Sequence, residues 1–187
     1  MTTQNQKMDI LHQAIAESSP ADGVYVRLPG ADLSGLDLTG MGLPHAYLEG
    51  ADLTDAILDD INLESAILSG AKLDGVSAKR ANLSFTLQRK TTASFADFTD
   101  ANLDGSILQE AEYRGADFTG ATLRNVDLHG ADLRSAKMVN TDMNWAMLNR
   151  ANFFDADLRA AELGTAKTEG ARMAGALNVA CPTCGRS

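Results

Sequence analysis

Cys181 and Cys184, set in Cys-Pro-Thr-Cys-Gly near the end of a 187-residue chain, are the one local pair with metal-ligand spacing. Two thiolates so placed resemble half of a zinc-ribbon site, and a structural zinc wants four ligands. A homodimer joined at its C-terminal ends would supply all four; the competing reading is a tail with two free thiols. Asp55, Asp59, Asp60 and Glu64 crowd one short stretch, offering either a divalent-cation site or a solvated acidic face. His12, His45 and His129 are scattered without ligand spacing. No glycine-rich phosphate loop is present, and no nucleophile has a local base. These residue types point away from an enzyme and toward binding.

What must position them is a five-residue unit that recurs thirty times, from Ala31 to Asn178, without losing frame. Counting by fives from Leu33, eighteen of the thirty central residues are Leu, three Phe, three Met and one Tyr. Two residues before each centre, twenty-one of thirty are Ala. The residue between is usually Asp or Asn, as in Ala51-Asp52-Leu53 and Ala101-Asn102-Leu103. A period of five suits neither a long strand nor an amphipathic helix. Apolar positions two apart share one side of an extended segment, and the polar remainder makes a turn. Such a chain buries its inward pairs only by coiling and stacking on itself.

The unit Ala-(Asp/Asn)-Leu-x-x resembles that of the pentapeptide-repeat family, with Val26-Arg27-Leu28-Pro29-Gly30 as a degenerate first copy. The resemblance implies an all-β fold: a right-handed quadrilateral β-helix with four pentapeptides to a turn and the Leu, Phe and Ala side chains filling its bore. At ~4.8 Å per layer, about seven and a half coils would stand roughly 36 Å tall. Some members of the family look like double-stranded DNA in width and charge. They bind DNA gyrase or topoisomerase IV, protect them from quinolones or toxins, and are typically acidic dimers joined tail to tail.

Ahead of the repeat, residues 1–6 are polar and expected to be loose. Met8, Leu11 and Ile15 then follow helical spacing until Ser18-Ser19-Pro20. A short helix here would cap the otherwise open end of a solenoid. A membrane-surface helix fits less well, because Lys7 is its only basic residue. The expected division is a tail and capping helix over 1–25, a β-helix over 26–178, and a flexible Cys-containing tail over 179–187. Pro29, Pro44 and Met41-Gly42 mark a less regular first coil. Between Val76 and Ala93 the pattern frays: centres become Ala78, Gln88 and Ala93, and small positions become Val76, Thr86 and Thr91. Either Gln88 enters the bore and bonds a partner such as Thr86 or a backbone group, or residues 85–95 bulge out as a loop.

Net charge is −9, and residues 31–75 carry nine acids against Lys72 alone. The acidic face comprises Asp32, Asp37, Asp52, Asp55, Asp59, Asp60 and Glu64. Lys79, Arg80, Arg89 and Lys90 lie just beyond it, as counter-charge or as a recognition spot for an anionic partner. Direct nucleic-acid binding is disfavoured by the net charge. With four units per turn, one outward column reads Tyr47, Ile67, Leu87, Ile107, Asp127, Met147, Lys167. Its apolar members form either a contact surface for a protein partner or a run chosen for β-propensity. Phe85 and Trp145 fall on a different face as isolated aromatics. No apolar run reaches membrane-spanning length, and the first thirty residues lack a signal-peptide pattern, so a cytoplasmic protein is expected. Three readings of function follow: a non-catalytic scaffold presenting flat faces to a protein partner, a DNA-mimicking modulator of gyrase or topoisomerase IV, or a dimer linked through a zinc site of four cysteines, two from each chain.

Overall fold

The computed structural model describes residues 3–177. Helix α1 spans Gln4–Ala16. It begins inside the segment expected to be loose, because Thr3 and Gln6 form a capping box. The Gln6 amide donates to Thr3 Oγ1 at 3.3 Å, and the Thr3 amide donates to Gln6 Oε1 at 2.9 Å. A single 3-10 turn, Pro20–Asp22, and Gly23 then turn the chain toward the first coil. Among the described residues no helix is long and apolar enough to cross a membrane.

From Arg27 onward the backbone is a solenoid whose coils pair in parallel at an interval of twenty residues: Arg27 with Tyr47, Asp32 with Asp52, Asp37 with Ile57, Gly42 with Asn62, and so on to Asp157 with Leu177. Four five-residue units therefore make one coil. Each bridge is one residue wide, so this β-helix has almost no extended strand. We call the four sides faces I to IV, after the inward centres Leu33, Leu38, Leu43 and Leu48. The residue preceding each centre bridges the coils and points outward.

Backbone bookkeeping explains the repeat, as the unit 51–55 shows. The Ala51 amide closes a turn on the Leu48 carbonyl, Asp52 donates to the coil below at Ala31, and Leu53 and Asp55 donate to the coil above at Lys72 and Asp74. Only the Thr54 amide lacks a backbone acceptor, and Asp52 Oδ1 accepts from it at 3.1 Å. The same bond recurs at Asp37 with Thr39, Asn82 with Ser84, Asp117 with Thr119 and Asp157 with Arg159. Where the bridging residue is Ser77, Thr92 or Thr122, the acceptor comes from the coil below. Asp59, Asp74 and Asp104 then take the amides of Lys79, Ser94 and Arg124. In the first coil Arg27 and Gly42 offer no acceptor, and the residue in question is Pro29 or Pro44, which has no N–H. The first coil is thus regular by other means.

Every turn residue from Gly30 to Gly175 except Thr165 has φ between 55° and 72°, and seventeen of these residues are not glycine. With the preceding residue at negative φ, the turns are of type II, in which Pro29-Gly30 is the favoured pair.

The fray is an in-frame coil, not a loop. Gln88 is fully buried and donates from Nε2 to Thr86 Oγ1 at 2.7 Å, while Tyr113 donates its hydroxyl to Gln88 Oε1 at 2.7 Å. The Leu83 carbonyl accepts the hydroxyls of Thr86 and Ser106, and the Thr86 amide turns to Ser106 Oγ instead. Among the described residues no buried side-chain nitrogen or oxygen lacks a partner. The alanine centres are compensated by the coil above: Ala78 lies beneath Phe98, and Ala93 beneath Tyr113. Phe98 stacks on Phe118 with centroids 5.1 Å apart, and Tyr113 meets both rings edge-on. Burial also pushes the Tyr113 phenol pKa well above its ordinary value. Volume is conserved across layers rather than within each one.

At the bottom, α1 closes the bore. Leu11 is fully buried there, and Met8, Ala14 and Ile15 pack beside it. Lys7 is buried too, with Nζ 2.6 Å from Asp32 Oδ1 and donating to the Ser34 carbonyl and hydroxyl at 2.9 and 2.7 Å.

Two outcomes are expected. Tyr113→Phe and Gln88→Met should each cost about 1–3 kcal/mol in urea unfolding by orphaning a buried partner, and the double variant should cost less than their sum. Strict additivity would mean the network does not act as a unit. Acid should loosen the solenoid in a defined window. Hydrogen bonds from Lys7 and then Ser34 hold the Asp32 carboxyl down at about 2, and those from Thr39 and Arg159 lower Asp37 and Asp157. Groups depressed in the folded state stabilise it above the ordinary carboxylate value of 3.8 and lose that effect as pH falls toward the folded values. Tm should therefore be flat from pH 7 to 5 and fall between pH 4 and 2, with amide exchange in α1 accelerating first. A Tm insensitive to pH 2.5 would contradict the pairing.

Candidate interaction surface

The acidic residues do not gather into a site. Asp32 and Asp52 bridge on face I, Asp37 sits on face II, and Asp55, Asp59, Asp60 and Glu64 lie on three successive corners. Three of the seven are ion-paired: Asp32 with Lys7, Asp52 with Lys72 at 3.2 Å, and Asp60 with Arg80 at 2.6 Å. Asp37 and Asp59 hold backbone amides. The basic cluster divides as well, with Arg80 reaching down to the acidic coils while Lys79 pairs upward with Asp97 at 3.3 Å. Among the described residues no group of three or more His, Cys, Asp or Glu is placed to hold a metal ion. Cys181 and Cys184, with the C-terminal joint they would make, lie outside the described residues.

Face IV differs from the others. Tyr47, Ile67, Leu87 and Ile107 occupy consecutive rungs of one bridged column, each half-buried, and after Asp127 the column continues with Met147 at 39 % exposure. The Arg27 guanidinium lies 4.2 Å above the Tyr47 ring. An apolar residue at the bridging position supplies no acceptor. The amides of Glu49, Ser69, Arg89 and Gln109 accordingly lack the bond that Asp or Asn provides elsewhere. On face III, Asn62, Asn82 and Asn102 supply it for Glu64, Ser84 and Asp104. Four successive rungs of face IV thus lack a contact that face III keeps.

Both of its borders are unusual. Phe85 and Trp145 stand on the corner shared by faces III and IV, two residues before Leu87 and Met147 in the chain. They are 59 % and 66 % exposed and hold φ of 59° and 64°, a conformation bulky residues rarely adopt. The Phe85 ring lies against Gly105 of the next coil, where a Cβ would meet it at 2.6 Å. On the opposite border lie Arg89, Lys90 and Arg150. Nine of the fifteen described lysines and arginines have a carboxylate within 3.3 Å. Of the other six, five are on face IV or the turn that ends it: Arg27, Arg89, Lys90, Arg150 and Lys167. Lys90 has only a 3.7 Å contact with Glu110. The column was legible in the sequence; the grouping of uncommitted cations beside it was not, because their loss of partners depends on contacts between coils.

The family model for pentapeptide repeats matches eight copies, over residues 25–55, 46–84, 96–134 and 127–164. The chain belongs to the pentapeptide-repeat family. Between its second and third matches the model leaves out 85–95, the stretch that carries Gln88. Among solved structures, HetL, a pentapeptide repeat protein involved in heterocyst differentiation regulation in the cyanobacterium Nostoc sp. strain PCC 7120, is 25 % identical, with 90 % of this chain and 93 % of that one covered and a TM-score of 0.39. A pentapeptide repeat protein of the Arabidopsis thaliana thylakoid lumen is 33 % identical, with 78 % and 79 % covered and a TM-score of 0.33. Full-length QnrB1, a plasmid-mediated fluoroquinolone resistance protein, is 18 % identical, with 80 % and 90 % covered and a TM-score of 0.30. Comparison with curated proteins finds no match.

Replacing Ile67 and Ile107 together with Asn tests what face IV is for. The new amides would accept from Ser69 and Gln109 as their counterparts on face III do, so stability should change by no more than about 1 kcal/mol. A large loss of Tm would show that the column is there for packing.

Proposed function

We propose that this protein is a non-catalytic scaffold that binds a protein partner through face IV. The observation that carries the reading is the continuous apolar column. It replaces the acidic or amide residue the coil would otherwise use, and it is bordered by an exposed aromatic in a strained turn. A large apolar patch on a soluble surface marks a contact site more often than not. The rest of the exterior is mainly polar, with about half of its carboxylates engaged by backbone amides or cations and with Ile57, Phe95 and Phe154 as scattered exceptions.

The same commitment weighs on the second reading, a DNA mimic acting on gyrase or topoisomerase IV. Such a mimic works through an uncompensated anionic field. Three acids of the expected belt are already neutralised by Lys7, Lys72 and Arg80.

The test is paired. Affinity capture from the source cell would compare the wild type with the Ile67→Asn, Ile107→Asn variant and with a face III control, Asn82→Lys. The expected result is a stoichiometric partner lost only from the face IV variant. A partner lost only from the control would overturn the assignment. Gyrase supercoiling titrated with the purified protein, with and without a quinolone, should show neither inhibition nor protection. Either effect at low micromolar concentration would transfer the function to the acidic coils.

A further inference from the structure

We propose that the upper end of face I holds a binding site for a small aromatic carboxylate. It is independent of face IV and of any protein bound there. The site is a hollow of about 520 Å³ lined by Arg134, Asn152, Phe154, Arg172, Met173 and Ala174. Pockets of about 300–1,000 Å³ suit small molecules. Asn152 and Arg172 are successive rungs of the face I column. Arg134, Phe154 and Ala174 succeed one another at the twenty-residue interval in the column beside it. Ala174, above Phe154, is too short to cover the ring, which is 47 % exposed.

Hydrogen-bond accounting selects an anion. Arg172 is the described cation off face IV that has no carboxylate partner. The Ala174 amide is left over as well. Arg172 supplies no acceptor from the bridging position, and the coil below offers Phe154 where Asp59 or Asp74 serves elsewhere. Asn152 spends Oδ1 on the Phe154 amide at 3.2 Å and keeps Nδ2 free. Arg134 holds Asp132 through Nε and Nη2 at 2.9 and 2.8 Å, which leaves Nη1. Four donors therefore line one hollow without acceptors of their own.

The neighbouring acids do not cancel this. Asp132 is shared between Arg134 and Arg114, at 2.8 and 2.7 Å, and Glu112 lies 3.5 Å from Arg114. Asp155 follows Phe154 but turns along the corner, its carboxylate lying over Gly175. Glu169 belongs to the opposite edge of face I, in a separate hollow with His129 and Arg150. None of these four lines the site, whose charged groups are both guanidiniums. The occupant must therefore bring acceptors, and a flat apolar body to cover Phe154. A carboxylate takes paired N–H bonds from the Arg172 guanidinium, and an attached ring stacks on Phe154. A bare inorganic anion would use the donors and leave the ring uncovered.

The probe is naphthalene-2-carboxylate, titrated into the full-length protein and followed by calorimetry and amide NMR. Saturable shifts are expected at the Ala174 amide and the Asn152 side chain. The neutral naphthalene-2-carboxamide and inorganic phosphate should each bind at least about tenfold more weakly. Asn152→Asp is the decisive variant. Its carboxylate would still accept from the Phe154 amide, as Asp132 accepts from the Arg134 amide at 3.2 Å, so Tm should hold. Affinity for the naphthoate should nevertheless fall at least about tenfold, because an anion replaces a donor. Arg172→Gln should have the same effect through loss of the guanidinium. Equal binding of the acid and its amide would overturn the proposal, as would unchanged affinity in the two variants. Absence of a saturable shift at about 10 mM naphthoate would overturn it too. Phosphate binding as tightly as the naphthoate would overturn the aromatic carboxylate as the ligand class.

Discussion

The structure depends on where one backbone amide finds its acceptor. In each five-residue unit four N–H groups are paired by coil stacking or by the turn, and the one following the central residue is left over. Asp or Asn before the centre takes it, as Asp52 takes Thr54. An Asp from the coil below takes it where that position is Ser77 or Thr92. Pro29 and Pro44 remove the donor altogether. An unpaired amide at the surface is met by water and costs little, but the saving repeats along the whole chain. The acidity of the sequence follows largely from this requirement, and a carboxylate already holding an N–H is a poor guide to a binding surface.

The bore obeys a second constraint, constant volume. Phe98 and Tyr113 are each accommodated by an alanine in the coil beneath, Ala78 and Ala93, and a buried amide is accommodated by hydroxyls that would otherwise have no place in the core. Gln88, Thr86, Ser106 and Tyr113 form a closed set in which each buried polar atom is answered. A half-answered set would be worse than a leucine. The family model passes over 85–95, where Thr86, Gln88 and Thr91 stand at inward positions. The coil survives because its compensation runs between units twenty-five residues apart.

This distinction decides what was legible in the sequence. The register was, since Leu, Phe and Ala at fixed spacing leave no other way to hide the apolar side. The bond between Gln88 and Thr86 was also within reach, because two residues in one unit share a side. The Tyr113 hydroxyl was not, nor was Ala93 making room for it. The helix starts ahead of its first apolar residue because Thr3 and Gln6 form a capping box within a polar stretch. Charge was least legible. The acids of the first coils form an unbroken run in the sequence, but Lys7 reaches Asp32 from α1 and Arg80 reaches Asp60 from a coil above.

The proposed function rests on where the fold's own rule is set aside. At Tyr47, Ile67, Leu87 and Ile107 four successive rungs give up an acceptor that face III keeps at Asn62, Asn82 and Asn102, and at Phe85 and Trp145 the chain holds bulky residues in a left-handed turn that glycine fills at Gly105. Neither choice helps the coils stack. Each is mildly unfavourable alone, and β-propensity alone would account for the column without accounting for its borders. The apolar column and most of the cations without a close carboxylate share one side of the rod, whereas exposed aromatics in left-handed turns stand on other corners too, as Phe95 does. A solenoid whose stability is spread over many near-identical coils can carry such local losses. That tolerance would allow a face with no cleft to be specialised for recognition, as proposed for face IV.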